Sequence, residues 1–213
     1  VITPSRRLRV SSICAGLAVV AILTAGCGPA RLPDATSASP SPAAASASTG
    51  GGVVTVPASS HVTGVYPARC RAVDGGRRPD PSCTPGAVQA TVTQATIRST
   101  ICRHGWTATV RAPETETGKV KKAAMLAYGD PAGTSSTTEL DHFLPLELGG
   151  ANDVRNLWPE PSDEPGRGVQ NSKDQVEDHL NAAVCRGQVG LVAAQQAIAA
   201  DWTTAERTVG LVR

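Results

Sequence analysis

Glu139-Leu-Asp-His-Phe-Leu-Pro-Leu-Glu-Leu-Gly-Gly-Ala-Asn-Asp-Val-Arg-Asn-Leu-Trp-Pro-Glu-Pro161 is the stretch whose reading decides the fold. It reads as a strand, a reversal and a returning strand. Residues 139–146 are strand-like, and Pro145, which cannot donate to a ladder, makes this strand an edge or ends it. Gly149-Gly150 and Asn152-Asp153 supply the reversal. Asn156-Leu-Trp158 returns, and Pro159 and Pro161 are expected to terminate it. The hairpin sets Asp141 beside His142 and brings Asn156 back fourteen positions after the histidine. A polar loop, 160–170, then leads to Asn171-Ser-Lys-Asp174, which opens a helix over 171–185. Val176, Leu180, Ala183 and Val184 form its apolar stripe, and Gly187 follows its end.

Outward from the hairpin the chain reads as mostly helical. Residues 93–102 predict a helix capped by Thr93, with Ile97 and Ile101 four apart and Gly105 ending it. Trp106-Thr-Ala-Thr-Val110 alternates β-branched residues and predicts a short strand stopped by Pro113. Residues 117–128 predict a helix with Val120, Ala124 and Tyr128 on one face, followed by a polar loop over 130–138. Residues 191–202 predict a last helix, with Leu191, Gln195, Ile198 and Trp202 on one face. The class is therefore α+β, with one domain over 83–207, near the usual size of a single domain. Trp158 and Trp202 read as core.

The front of the chain does not read as part of that domain. Residues 1–27 have the form of an export signal: Arg6, Arg7 and Arg9, then an uncharged apolar run from Ile13 to Leu23, then Thr24-Ala-Gly-Cys27. The apolar run is short for a permanent span. The ending resembles a bacterial lipobox, with threonine where leucine is usual, so Cys27 is the expected lipidation site. That places the protein outside the cytoplasmic membrane on a lipid anchor, or secreted if an ordinary signal is cut there. Residues 28–60, rich in Ala, Ser, Pro and Gly, read as a disordered tether, and 61–82 as a transition segment.

Charge and cysteines bound the function. Loss of 1–26 removes three arginines and leaves 17 Lys and Arg against 18 Asp and Glu. From Cys83 onward the chain holds 12 basic and 15 acidic residues, so it lacks the electrostatic footprint of a strong nucleic-acid binder. A bound divalent cation would offset part of that locally. Cys14 leaves with the signal and Cys27 carries lipid, so Cys70, Cys83, Cys102 and Cys185 remain, an even number that reads as two disulfides in an exported chain. The close spacing of Cys70 and Cys83 favours their pairing, leaving Cys102 with Cys185. Zinc held by these cysteines is the competing reading, but the sequence has no Cys-x-x-Cys pair.

The residues around the hairpin suit phosphodiester hydrolysis, which needs an activated water and a sink for negative charge. His142 is the candidate general base. Asp141 is the candidate metal ligand, a hard oxygen suited to magnesium or manganese, with zinc as the alternative ion. Asn156 is placed to hold the His142 ring or to brace the loop. Asn171 is the candidate second ligand, Asp174 its rival, and Lys173 a candidate phosphate contact. Each has a plainer role: successive strand residues point to opposite faces, and Asn171 and Asp174 both suit a helix N-terminus. His179 reads as a surface residue and His104, beside Gly105, as one at a helix end, while Glu147 and Glu160 flank the motif as candidate supporting groups that the spacing does not require.

Asp141-His142, then Asn156, then Asn171 at a helix start resembles the HNH endonuclease family, whose site is a ββα unit around one metal ion. Cys83-Thr-Pro-Gly86, Gly105-Trp106-Thr107, Asn156-Leu-Trp-Pro-Glu-Pro161 and Lys173-Asp174 together look like a group of exported bacterial proteins described as HNH endonuclease-like. The resemblance implies that Asp141 binds metal, His142 activates water and Asn156 orients the histidine. It implies DNA as the substrate, with RNA as a second candidate. Two features depart from the family: Asn171 lies fifteen residues after Asn156, where many members have eight or nine, and the zinc-binding cysteine pairs are missing. The alternatives are a non-catalytic exported module that binds cell-wall material or a protein, and a zinc hydrolase in which His179 joins Asp141 or His142.

Overall fold

The computed structural model describes residues 52–212 except 165 and 167. The signal and lipidation expectations for 1–27, Cys27 among them, and most of the expected tether lie outside the described residues. Strands β1 (Val54–Val56) and β2 (Ala87–Gln89) come first, then helices α1 (Trp106–Val110) and α2 (Glu114–Tyr128). Strands β3 (Thr138–His142) and β4 (Leu157–Pro161) follow, then α3 (Lys173–Cys185), α4 (Leu191–Asp201) and α5 (Ala205–Thr208). β1 and β2 pair in parallel, and β3 and β4 antiparallel, as two separate two-stranded sheets. The class is α+β, and the disulfides join Cys70 to Cys83 and Cys102 to Cys185, the expected pairing. Among the described residues no helix is long and apolar enough to cross a membrane.

The hairpin is built around its reversal. β3 ends at His142, and Phe143 and Leu144 turn inward to a short 3-10 turn, Leu146–Leu148. Leu144 and Leu148 are fully buried in the core cluster that also holds Leu180 and Val184 of α3 and Leu191 and Ile198 of α4. Gly149 sits at φ 84°, which favours glycine. At Gly150 an added Cβ would lie 1.7 Å from the Leu144 carbonyl oxygen, so the chain closes there only without a side chain. Pro159 and Pro161 lie inside β4, opposite Leu140 and Thr138, rather than ending it. Phe143 and Thr137 pair with Asn156 and Ser162, so on β4 the backbone groups of the even-numbered positions face the partner strand. Both prolines therefore sit at positions whose missing N–H points to the open edge.

Several expectations are corrected. The tether over 28–60 is too long: Val54-Thr-Val56 is a strand, and Val56 is buried against Ala87 and Ala151. The β-branched run there has apolar surface to bury, which a tether lacks. The ordered unit accordingly starts ahead of residue 83 and takes in the transition segment, where Cys70 and Thr63 are tied to Ala127 and Asn152 through backbone hydrogen bonds. Residues 93–102 form turns and one 3-10 segment, Ile97–Ser99, because the Thr96, Ser99 and Thr100 side chains bond nearby backbone in place of a helix ladder. Residues 106–110 are helix α1, not a strand: Gly105 opens it at φ 76° and Trp106 anchors it in the core. Within the expected loop, 132–137 is 3-10 helix. α2 starts earlier than expected, with Pro113 as its N-cap and Glu114 and Glu116 in its first turn.

Candidate functional site

Asp141 and His142 end β3 side by side, both buried, and strand alternation sends them to opposite faces. They do not share one site.

His142 faces a cleft of about 410 Å³ whose lining includes Arg111, Lys121, Glu139, Asn152 and Val169. Its Nε2 lies 2.9 Å from Asn152 Oδ1. Asn152 is itself fixed: its Nδ2 donates to the Ser59 carbonyl at 2.8 Å and the Val110 carbonyl at 2.7 Å. Two carbonyl partners demand the amide nitrogen on that side, so the amide oxygen must face the histidine. An amide oxygen only accepts, so His142 Nε2 carries the proton and Nδ1 is left as the basic nitrogen. Burial holds the ring pKa down at about 4. Arg111, the cation in this cleft without a described side-chain partner, stands close enough to add to that depression. Lys121 is tied to the Ser135 carbonyl at 2.7 Å.

A depressed pKa makes the unfolded chain bind more protons than the folded one between the ordinary histidine value and about 4. Stability associated with His142 is thus present above about pH 6.5 and lost as the pH falls toward 4. In a ¹⁵N ring spectrum, His142 is expected to remain the Nε2–H tautomer from neutral pH down to about 4. An imidazolium signature at pH 6 would contradict the arrangement.

Asp141 faces the other way, into a cage closed by Lys173. The Lys173 ammonium donates to Asp141 Oδ2 at 2.7 Å and to Glu177 Oε1, stands 3.9 Å from Glu160 Oε2, and lies 3.3 Å from the His142 carbonyl oxygen. Lys173 is fully buried. Trp158, opposite Asp141 on β4, donates its Nε1–H to the same Asp141 oxygen at 3.2 Å. Burial pushes the Asp141 carboxyl up, but the Lys173 ammonium outweighs it and holds the group below the usual range. Burial and Asp141 push Glu160 well above it, and burial raises Glu177 to about 8. Glu139 and Glu147 are raised to about 7, chiefly by burial. The surroundings thus hold more carboxyl groups than one ammonium balances.

The residues expected to hold a metal ion do not fit one in this arrangement. Asp141 is engaged by Lys173 and Trp158. Asn171 uses Oδ1 to accept its own helix's Lys173 N–H at 3.0 Å and Nδ2 to donate to Glu160 at 3.1 Å. Asp174 lies in the first turn of α3 and is exposed, outside the cage around Lys173. Lys173 is too buried to meet a phosphate. The Asn156 amide makes no hydrogen bond to His142 among the described residues: fully buried, it braces the loop between the strands, and the ring pairs with Asn152. His179, needed for the zinc-hydrolase reading, pairs with Glu206 of α5 at 2.7 Å on the surface.

Sequence reasoning missed Asn152, Arg111 and Glu177 as site residues, and saw Glu160 only as a flanking group that the spacing did not require. Glu177 was readable, four residues from Lys173 on one helix face. Asn152 carries no local signal, because its partners come from residues 59 and 110. Comparison with family models, curated proteins and solved structures finds no match for this chain.

Proposed function

We propose that the protein hydrolyses phosphodiester bonds in nucleic acid, DNA first, outside the cytoplasmic membrane. The observation that carries this reading is His142, kept neutral and held by Asn152 with Nδ1 as its basic nitrogen, in a cleft that also holds Arg111, whose side chain has no hydrogen-bond partner among the described residues. Nδ1 takes a proton from water as its oxygen attacks phosphorus, and the bond to the leaving oxygen breaks with that oxygen taking a proton from bulk water. Arg111 offsets charge on the phosphate oxygens. The hairpin from β3 to β4 followed by α3 is read as the ββα unit of the HNH resemblance, and the two disulfides fit an oxidising, exported setting. No step is drawn through a metal ion.

The surplus of carboxyl groups around the Asp141 cage favours a second reading, a non-catalytic exported module that keeps the hairpin for stability and binds cell-wall material or a protein. One experiment separates them. The exported chain, begun before Val53 to keep β1, is incubated with plasmid and single-stranded DNA, with magnesium, with manganese and with a chelator. Cleavage that falls at least about a hundredfold in a folded His142→Ala variant supports hydrolysis. Absence of cleavage under every condition, from folded protein, would leave the binding module.

A further inference from the structure

The cage around Asp141 stands where the HNH resemblance expects a divalent ion, and a side chain already fills it. Three carboxyl groups, Asp141 from β3, Glu160 from β4 and Glu177 from α3, surround one ammonium. All three side chains are largely or fully buried, and so is the Lys173 stem. Strand, strand and helix are therefore joined through a positive charge at their centre, the task a metal ion performs in a ββα-metal unit. The lysine is also locked in sequence terms. It is the first residue of α3, four before Glu177, and Asn171 fastens its backbone N–H. Its ammonium reaches the His142 carbonyl oxygen as well, which ties the cation to the backbone of the candidate base.

We propose that Lys173 is the resident cation of this unit, so that the native chain holds its hairpin and helix together without a divalent ion in the cage. Lys173 is a positioning residue here, not a catalytic one, since its ammonium has no access to the cleft. Removing the ammonium while shortening the side chain would leave a buried acidic cage with room for an ion. Oxygen ligands of that kind suit manganese or calcium. Removing the charge while keeping the bulk would leave no room.

The test is a titration of the chelator-treated, exported chain with manganese, read by the spin-resonance signal of free ion and by the shift in melting temperature. Neither readout needs catalysis, so it stands whether or not the chain cleaves DNA. The native chain is expected to show no stoichiometric site and no melting shift. Lys173→Ala is expected to bind one ion per chain at least about tenfold more tightly than the native chain, and to be stabilised by it. Lys173→Met, which refills the cage with an apolar tip, is expected to bind none. Should Lys173→Ala fail to fold, the native titration decides alone. One manganese per native chain, lost in Asp141→Asn, would overturn the proposal.

Discussion

Replacing Cys102 and Cys185 together by serine is expected to lower unfolding stability by about 4–5 kcal/mol, more than loss of the other bridge. The bond closes a loop of 83 residues, against 13 for Cys70–Cys83. In the chain-entropy account the cost of freeing the unfolded chain grows with the logarithm of loop length, which gives about 3 kcal/mol for the shorter bridge. Position adds to length. Cys102 follows the 3-10 segment Ile97–Ser99, which has few ladder bonds of its own, and Cys185 ends α3 beside the buried Val184. The bridge thus fastens a segment built of turns to the helix that carries Lys173. Denaturant unfolding of the two double-serine variants, each beside the native chain, checks the order. A larger loss from the Cys70–Cys83 pair would show that local closure near Tyr128 matters more than the long loop.

The parts of this fold legible in the sequence are those written by local chemistry. α2, α3 and α4 carry apolar residues at helical spacing and end at residues the pattern marks, with Gly129 after α2 at φ 74°. The reversal was readable because Gly149 and Gly150 answer steric demands that no other residue meets. The failures occur where distant contacts override local preference. Val54-Thr-Val56 looks like tether until β2 gives it a partner. Trp106–Val110 alternates like a strand, yet none of the strands among the described residues pairs with it, and Trp106 finds its place in the helical core. At the site the sequence placed the right residues near one another and misread their directions. Asp141 and His142 are neighbours in sequence and face different chemistry, because one peptide step along a strand reverses the side chain. A motif lists residue types, but which amide holds which ring depends on segments ninety residues apart, as with Asn152 and the Ser59 carbonyl.

Asn156 separates the structural reading from the family expectation most sharply. If it oriented His142, its loss would slow catalysis and leave the fold intact. Its contacts point the other way. Oδ1 accepts from the Leu144 N–H at 2.9 Å and the Ala87 N–H at 3.3 Å, while Nδ2 donates to the Leu144 carbonyl at 2.9 Å and the Ala151 carbonyl at 3.1 Å. One fully buried amide thereby satisfies both ends of the 144–151 loop and joins them to β2. Asn156→Ala would strand four buried backbone groups, each costing about 1–3 kcal/mol when left unpaired, and water entering the vacated space recovers part of that. A net loss of about 4 kcal/mol is expected in denaturant unfolding. Asn156→Asp refines the point. Ionised, it keeps the two acceptor contacts but sets a negative charge against two carbonyl oxygens; protonated, it regains one donor. Its pKa in the folded chain must therefore lie above that of an unfolded aspartate, so its stability is highest below the ordinary carboxylate range and is lost as the pH rises through the raised value. His142 contributes the opposite slope over its own window, so the comparison is made as the difference between variant and native chain at each pH. If both variants keep native stability at every pH while the His142 ring tautomer changes, the bracing role is wrong and the family's role for this asparagine is restored.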